Sequence, residues 1–117
     1  MIRDLCNHIY KTLGPGFSER VYHNAMEVML RQKGINYEME RIVPIVIEGH
    51  TIGNVRADII IDVTIVLEFK AIKSLTDVME LQARNYLNLM TLNEAYLVTF
   101  PPWPYLPVEI RKIVRNT

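Results

Sequence analysis

The chain has 117 residues and a mass of 13.6 kDa, enough for one domain around one core. Half of the residues are hydrophobic and 22% are charged, which excludes a disordered tail, and no apolar run approaches the ~18 residues of a membrane span. Thirteen basic residues balance thirteen acidic ones, so a non-specific nucleic-acid coat is excluded and any contact with nucleic acid must come from local clustering.

Ile2, Leu5, Cys6, Ile9, Tyr10 and Leu13 follow helical spacing over residues 2–12, and Gly14-Pro15-Gly16 breaks it. This opening lacks the apolar stretch of a secretory signal, so an intracellular, cytoplasmic location is expected. Cys6 has no cysteine partner and sits among apolar positions, which reads as core rather than nucleophile. A second helix is predicted from about Phe17 to Lys33, stopped by Gly34. Residues 37–47 read as a strand, with Pro44 marking an edge or a bulge, and Glu48-Gly49-His50 as a hairpin turn. Strands over 51–61 and 64–72 follow, joined by a turn near Asp62. Their near-continuous apolarity predicts a sheet covered on both faces. Ser74-Leu75-Thr76-Asp77 resembles a capping box opening a helix to about Leu92. A strand over 95–100, the loop PPWPYLP and an alternating segment over 108–114 complete the chain. The order α-α-β-β-β-α-β-β predicts a single α+β or α/β domain, residues 1–117, with helices around a mixed sheet.

Polar groups interrupt the apolar segments at four places. Glu68 and Lys70 share one face of the third strand, opposite Leu67, Phe69 and Ala71. Charges in a central strand are costly unless paired or bound to an ion. A hairpin turning near Asp62–Val63 brings Asp58 close to Glu68, and a divalent cation is an economical way to keep both carboxylates ionised. A self-neutralising ion pair with Lys70 is the plain alternative. On the 74–92 helix, Gln82 falls near the middle of an arc of Leu75, Val78, Met79, Tyr86, Leu89 and Met90, where it needs a buried partner. Glu19 borders the apolar arc of the 17–33 helix, in its first turn, where the helix dipole alone would favour an acid. His23 is near Glu19 on its helix and could approach the site, but a solvent-facing histidine is the simpler reading.

Gly16-Phe17-Ser18-Glu19-Arg20-Val21-Tyr22 fits G-x-x-E-x-x-Y. It is followed in order by Arg56-Ala57-Asp58, Glu68-Phe69-Lys70-Ala71, Glu80-Leu81-Gln82 and Tyr86-Leu87. On these segments the chain resembles the GxxExxY proteins of the PD-(D/E)xK nuclease superfamily, from about Leu13 to Val114, with Ala57 where a proline usually precedes the aspartate. The resemblance implies a restriction-endonuclease-like core, a mixed β-sheet flanked by helices, and a Mg²⁺ (or Mn²⁺) site. It makes Asp58, Glu68 and the Phe69 carbonyl metal ligands, Lys70 the companion lysine, Glu19 the helix-borne acid and Gln82 the auxiliary polar group.

Three functions follow as expectations. The first is hydrolysis of nucleic-acid phosphodiesters, DNA above RNA, with Arg20, Arg31, Arg56, Lys73 and Arg84 as phosphate contacts where they are not plain surface. The second is a non-catalytic nucleic-acid- or protein-binding module that retains the nuclease fold, a reading the neutral net charge favours. The third is self-association as a homo-oligomer. Trp103 and Tyr105 could serve its interface or stack on bases, unless their loop simply folds over the core.

Overall fold

A computed structural model of the protein describes residues 1–104 and 106–115. It contains α1 (Ile2–Leu13), α2 (Glu19–Gln32), β1 (Tyr37–Ile47), β2 (His50–Ile61), β3 (Ile65–Lys70), α3 (Asp77–Met90), β4 (Glu94–Thr99) and β5 (Glu109–Val114). The strands form one sheet in the order β1-β2-β3-β4-β5, parallel between β3 and β4 and antiparallel elsewhere. This is the expected α+β mixed sheet, and Pro44 lies on an edge strand, where a missing N–H costs no ladder bond. No helix among the described residues is long and apolar enough to cross a membrane.

Two cores lie on the two faces of the sheet. α1 and α2 pack Leu5, Cys6, Ile9, Tyr22, Met26 and Leu30 against Ile59, Ile61, Leu67, Phe69 and Phe100. α3 packs Ala83, Leu87 and Met90 against Val55, Ala57, Ile60, Val66 and Leu97. Tyr22 and Phe100 stack at 4.4 Å between centroids, and the Phe69 ring meets Phe100 edge-on at 5.1 Å. Burial pushes the Cys6 thiol up to about 12, so it is a core side chain.

The alternation of β2 inverts once. Val55 and Ala57 face α3, yet Ile59 and Ile61, of the same parity, face α1 and α2. Only Asp58 separates Ala57 from Ile59, and its neighbour across the β1–β2 ladder, Glu40, has φ 54°. The hairpin therefore turns over at the Glu40–Asp58 level and carries its distal part onto the other face.

Two sequence expectations are corrected here. The N-cap of α3 is Thr76, whose Oγ1 accepts from the Met79 amide at 3.3 Å, and not Ser74. The buried stripe of α3 is Ala83, Leu87 and Met90, flanked by half-buried Met79 and Tyr86, while Val78 and Leu89 are exposed.

Asp62 and Val63 both adopt left-handed φ, 50° and 63°, in the turn between β2 and β3. A β-branched residue there is strained, and Asp-Gly is the sequence such a turn prefers. Val63, which is exposed, packs little in exchange. The Val63→Gly protein is expected to gain about 1 kcal/mol, read as a higher melting temperature in calorimetry. An unchanged or lower value contradicts strain at this turn.

Candidate active site

β2 and β3 pair only through Ile59↔Leu67, Ile60↔Val66 and Ile61↔Ile65. The next step of that register sets Asp58 opposite Glu68, but there the strands part. In place of a ladder bond, the Phe69 amide donates to Asp58 Oδ2 at 3.0 Å. The Asp58 carboxylate thus occupies the fork between the strands, at the position where β2 turns over.

Glu68 and Lys70 lie on the α3 side of β3, as alternation requires, with Leu67 and Phe69 on the opposite side. Glu68 is only 7% exposed, and its Oε1 has no hydrogen-bond partner among the described residues. Burial pushes the Glu68 carboxyl well above the usual glutamate range, and the Asp58 charge adds to this, while Lys70 opposes it.

The five expected site residues line two clefts rather than one pocket. Glu68, Lys70 and Gln82 border a small cleft of about 30 Å³ under α3, together with Met79, Ala83 and Tyr86. Glu19 and Asp58 border a second of about 100 Å³ beside α2, with Arg20, His23 and Arg56. The Phe69–Asp58 hydrogen bond joins the strands that carry the two clefts. Gln82 is exposed and stands at a cleft rim, so it is not the buried amide that its helical position predicted.

The G-x-x-E-x-x-Y segment has a local explanation. Gly16 has φ 101°, a conformation costly for any other residue, in the turn between α1 and α2. Tyr22 is fully buried, and its hydroxyl donates to the Gly14 carbonyl at 2.7 Å, tying that turn down. Glu19 then begins α2 and reaches the cleft from its first turn.

His23 corrects the expectation of a solvent-facing residue. It is 5% exposed, its Nε2 lies 2.7 Å from the Asp58 carbonyl oxygen, and its ring meets Phe69 edge-on. Its nearness to Glu19 on α2 was legible in the sequence, but nothing there shows that the helix turns it inward. Of the expected phosphate contacts, Arg20 pairs with Glu40, Arg31 is bound to Glu27 and Tyr37, and Arg84 donates to the Val114 carbonyl. Arg56 faces the Asp58 cleft with no ion-pair partner among the described residues. Trp103 is 55% exposed, so its ring is not folded over the core, although the Tyr10 hydroxyl lies within hydrogen-bond reach of the Trp103 carbonyl at 3.3 Å. Tyr105 lies outside the described residues.

Among the described residues no group of three or more His, Cys, Asp or Glu side chains gathers closely enough to enclose a metal. The donor set still fits a hard cation of the Mg²⁺ type, which takes one or two carboxylates and fills its remaining positions with water and substrate phosphate. A buried carboxylate oxygen without a partner, beside a second carboxylate, is what such an ion would satisfy.

The raised Glu68 pKa sets a pH dependence with a definite sign. Below about pH 4.5 the carboxyl is neutral in both folded and unfolded chains, and it costs nothing. Above that the unfolded chain releases the proton while the folded chain holds it, so stability falls until the pH passes the folded value. In EDTA, Glu68→Gln is expected to melt above the wild type at neutral pH, with the gap closing toward pH 4. A gap that is constant with pH contradicts a buried, proton-holding Glu68.

No curated protein sequence matches the chain. Among solved structures it is similar to the protein designated SSO0001, with TM-score 0.61 and 24% identity over 84% of this chain and 50% of that one. It is also similar to an alkaline exonuclease from Laribacter hongkongensis, with TM-score 0.60 and 12% identity over 83% of this chain and 56% of that one. The chain spans about half the length of these neighbours, and at such identities the likeness is one of fold. A family profile described as the PD-(D/E)XK nuclease superfamily matches residues 1–113, and the chain belongs to that superfamily.

Proposed function

We propose that residues 1–117 act as one nuclease-like domain of the GxxExxY type, which hydrolyses phosphodiester bonds of nucleic acid, DNA in the first instance, with Mg²⁺ or Mn²⁺. The observation that carries this reading is the buried Glu68 carboxyl, with its unpartnered oxygen, set opposite Asp58 and flanked by Lys70. Membership of the nuclease superfamily supports it.

In this reading Asp58, Glu68 and the Phe69 carbonyl hold the cation. When bound, the ion lowers the pKa of a water and offsets charge on the phosphoryl oxygens. Lys70, on the Glu68 face of β3, directs its ammonium at the attacking water or a phosphoryl oxygen and stabilises charge that develops there. The water oxygen bonds to phosphorus and gives up a proton to solvent, the P–O bond to the leaving strand's sugar oxygen breaks, and that oxygen takes up a proton from solvent. Glu19 lies across the second cleft from Asp58 and orients water there, while Gln82 at the rim of the first donates to the backbone phosphate. The Phe69 amide keeps the Asp58 carboxylate at the fork throughout.

Two measurements test this. Mg²⁺ is expected to raise the melting temperature of the wild type by mass action, and less so in Glu68→Gln. Equal melting curves in Mg²⁺, Mn²⁺ and EDTA contradict the metal site. Lys70→Ala is expected to lower the cleavage rate by about 10²–10³ while it keeps the fold and the Mg²⁺ thermal shift. A Lys70→Ala protein that cuts like the wild type removes the role given to Lys70. A wild type that binds a strand but cuts no substrate with any divalent ion leaves the binding-module reading.

A further inference from the structure

A cleft outside the candidate active site lies at the carboxyl ends of β3 and β4. It measures about 410 Å³, and Arg3, Lys73, Ser74, Pro107, Val108 and Glu109 are among the residues lining it. Arg3 comes from the first turn of α1 and Lys73 from the segment leaving β3, so two separate elements bring cations to one cavity. Neither has an ion-pair partner among the described residues, whereas Arg20, Arg31, Arg41, Arg111 and Lys112 all do. The acid in the lining, Glu109, is bonded to Arg111 at 2.9 Å. Arg111 is shared with Glu80, so the cavity presents two cations against one acid, a surplus of positive charge, with the Ser74 hydroxyl as a further donor.

The cleft is also continuous with the candidate active site along the chain. Lys73 follows Lys70 by three residues, a reach of at most about 11 Å. That separation is short enough for the two lysines to meet nearby phosphates of one strand.

We infer that the Arg3–Lys73–Ser74 cleft is a subsite for a backbone phosphate of the nucleic-acid strand, flanking the bond at Lys70. This rests on the nucleic-acid reading above. The site contributes affinity and strand register, and it takes no part in the chemical step.

The test is fluorescence anisotropy of a short fluorescein-labelled DNA strand, single and annealed, over a salt series with Ca²⁺ in place of Mg²⁺. The Arg3→Gln/Lys73→Gln protein is expected to bind more weakly. The slope of log K against log salt should flatten by about 0.7 for the single strand and about 0.9 for the duplex, one phosphate in each case. Its melting temperature and Mg²⁺ thermal shift should match the wild type. Lys11→Gln/Lys112→Gln removes the same charge elsewhere, from the far end of α1 and from β5, and should keep the wild-type slope. A wild-type slope in Arg3→Gln/Lys73→Gln, or equal flattening in the control, overturns the subsite and leaves the proposed function standing. Competition by a nucleoside monophosphate as effective as that of the strand overturns it in favour of a small-anion site. A wild type that binds no strand overturns the subsite and the nucleic-acid reading together.

Discussion

The hydrogen bond from the Phe69 amide to the Asp58 carboxylate holds the place where β2 leaves β3, and the geometry of the candidate active site depends on it. Two antiparallel strands that part inside a sheet leave ladder groups unsatisfied, and a buried unpaired amide is costly. A side-chain acceptor at position 58 removes that cost and fixes a negative charge at the fork. Glu68, the residue directly across in the register, is thereby committed to a buried position beside that charge. Its raised pKa follows from burial first and from Asp58 second.

The packing on each face serves this fork. On one side, His23 reaches from α2 to the Asp58 carbonyl and lays its ring edge-on to Phe69, touching both residues of the central hydrogen bond. The stack of Tyr22 on Phe100, and Phe100 against Phe69, sets the depth of α2 over β3. On the other side, Ala83 is the small residue of α3 at the Glu68–Lys70 cleft. The two clefts flank the fork, one beside α2 and the other under α3.

Buried charge of this kind is weak support for stability and stronger support for a site. A fold that needed only a core would fill position 68 with an apolar side chain, as β3 does at Val66, Leu67 and Phe69. The orphaned oxygen of Glu68 is instead a cost carried by the surrounding core, and a cation with its water would remove it.

Much of this was legible in the sequence because it depends on local periodicity and counting. Helical spacing placed α1 and α2, alternation put Glu68 and Lys70 on one face of β3, and counting from the turn at Asp62–Val63 set Asp58 against Glu68. What remained illegible depends on which face of an element meets which neighbour. On α3 the exposed Val78 and Leu89 drew the apparent apolar arc toward Gln82, whereas the sheet covers the stripe of Ala83, Leu87 and Met90. The histidine at position 23 has the same chemistry exposed or buried, and only the approach of α2 to β2 turned it inward. The inversion at Asp58 separates residues of equal parity onto opposite faces, so no period-two pattern can encode it, and with it came the division of the site into two clefts. The sequence by itself determined the elements, their order and the nearness of Asp58 to Glu68, because those follow from near neighbours along the chain. Tertiary structure alone decided burial, cleft shape and the role of His23, because those follow from contacts between elements far apart in sequence.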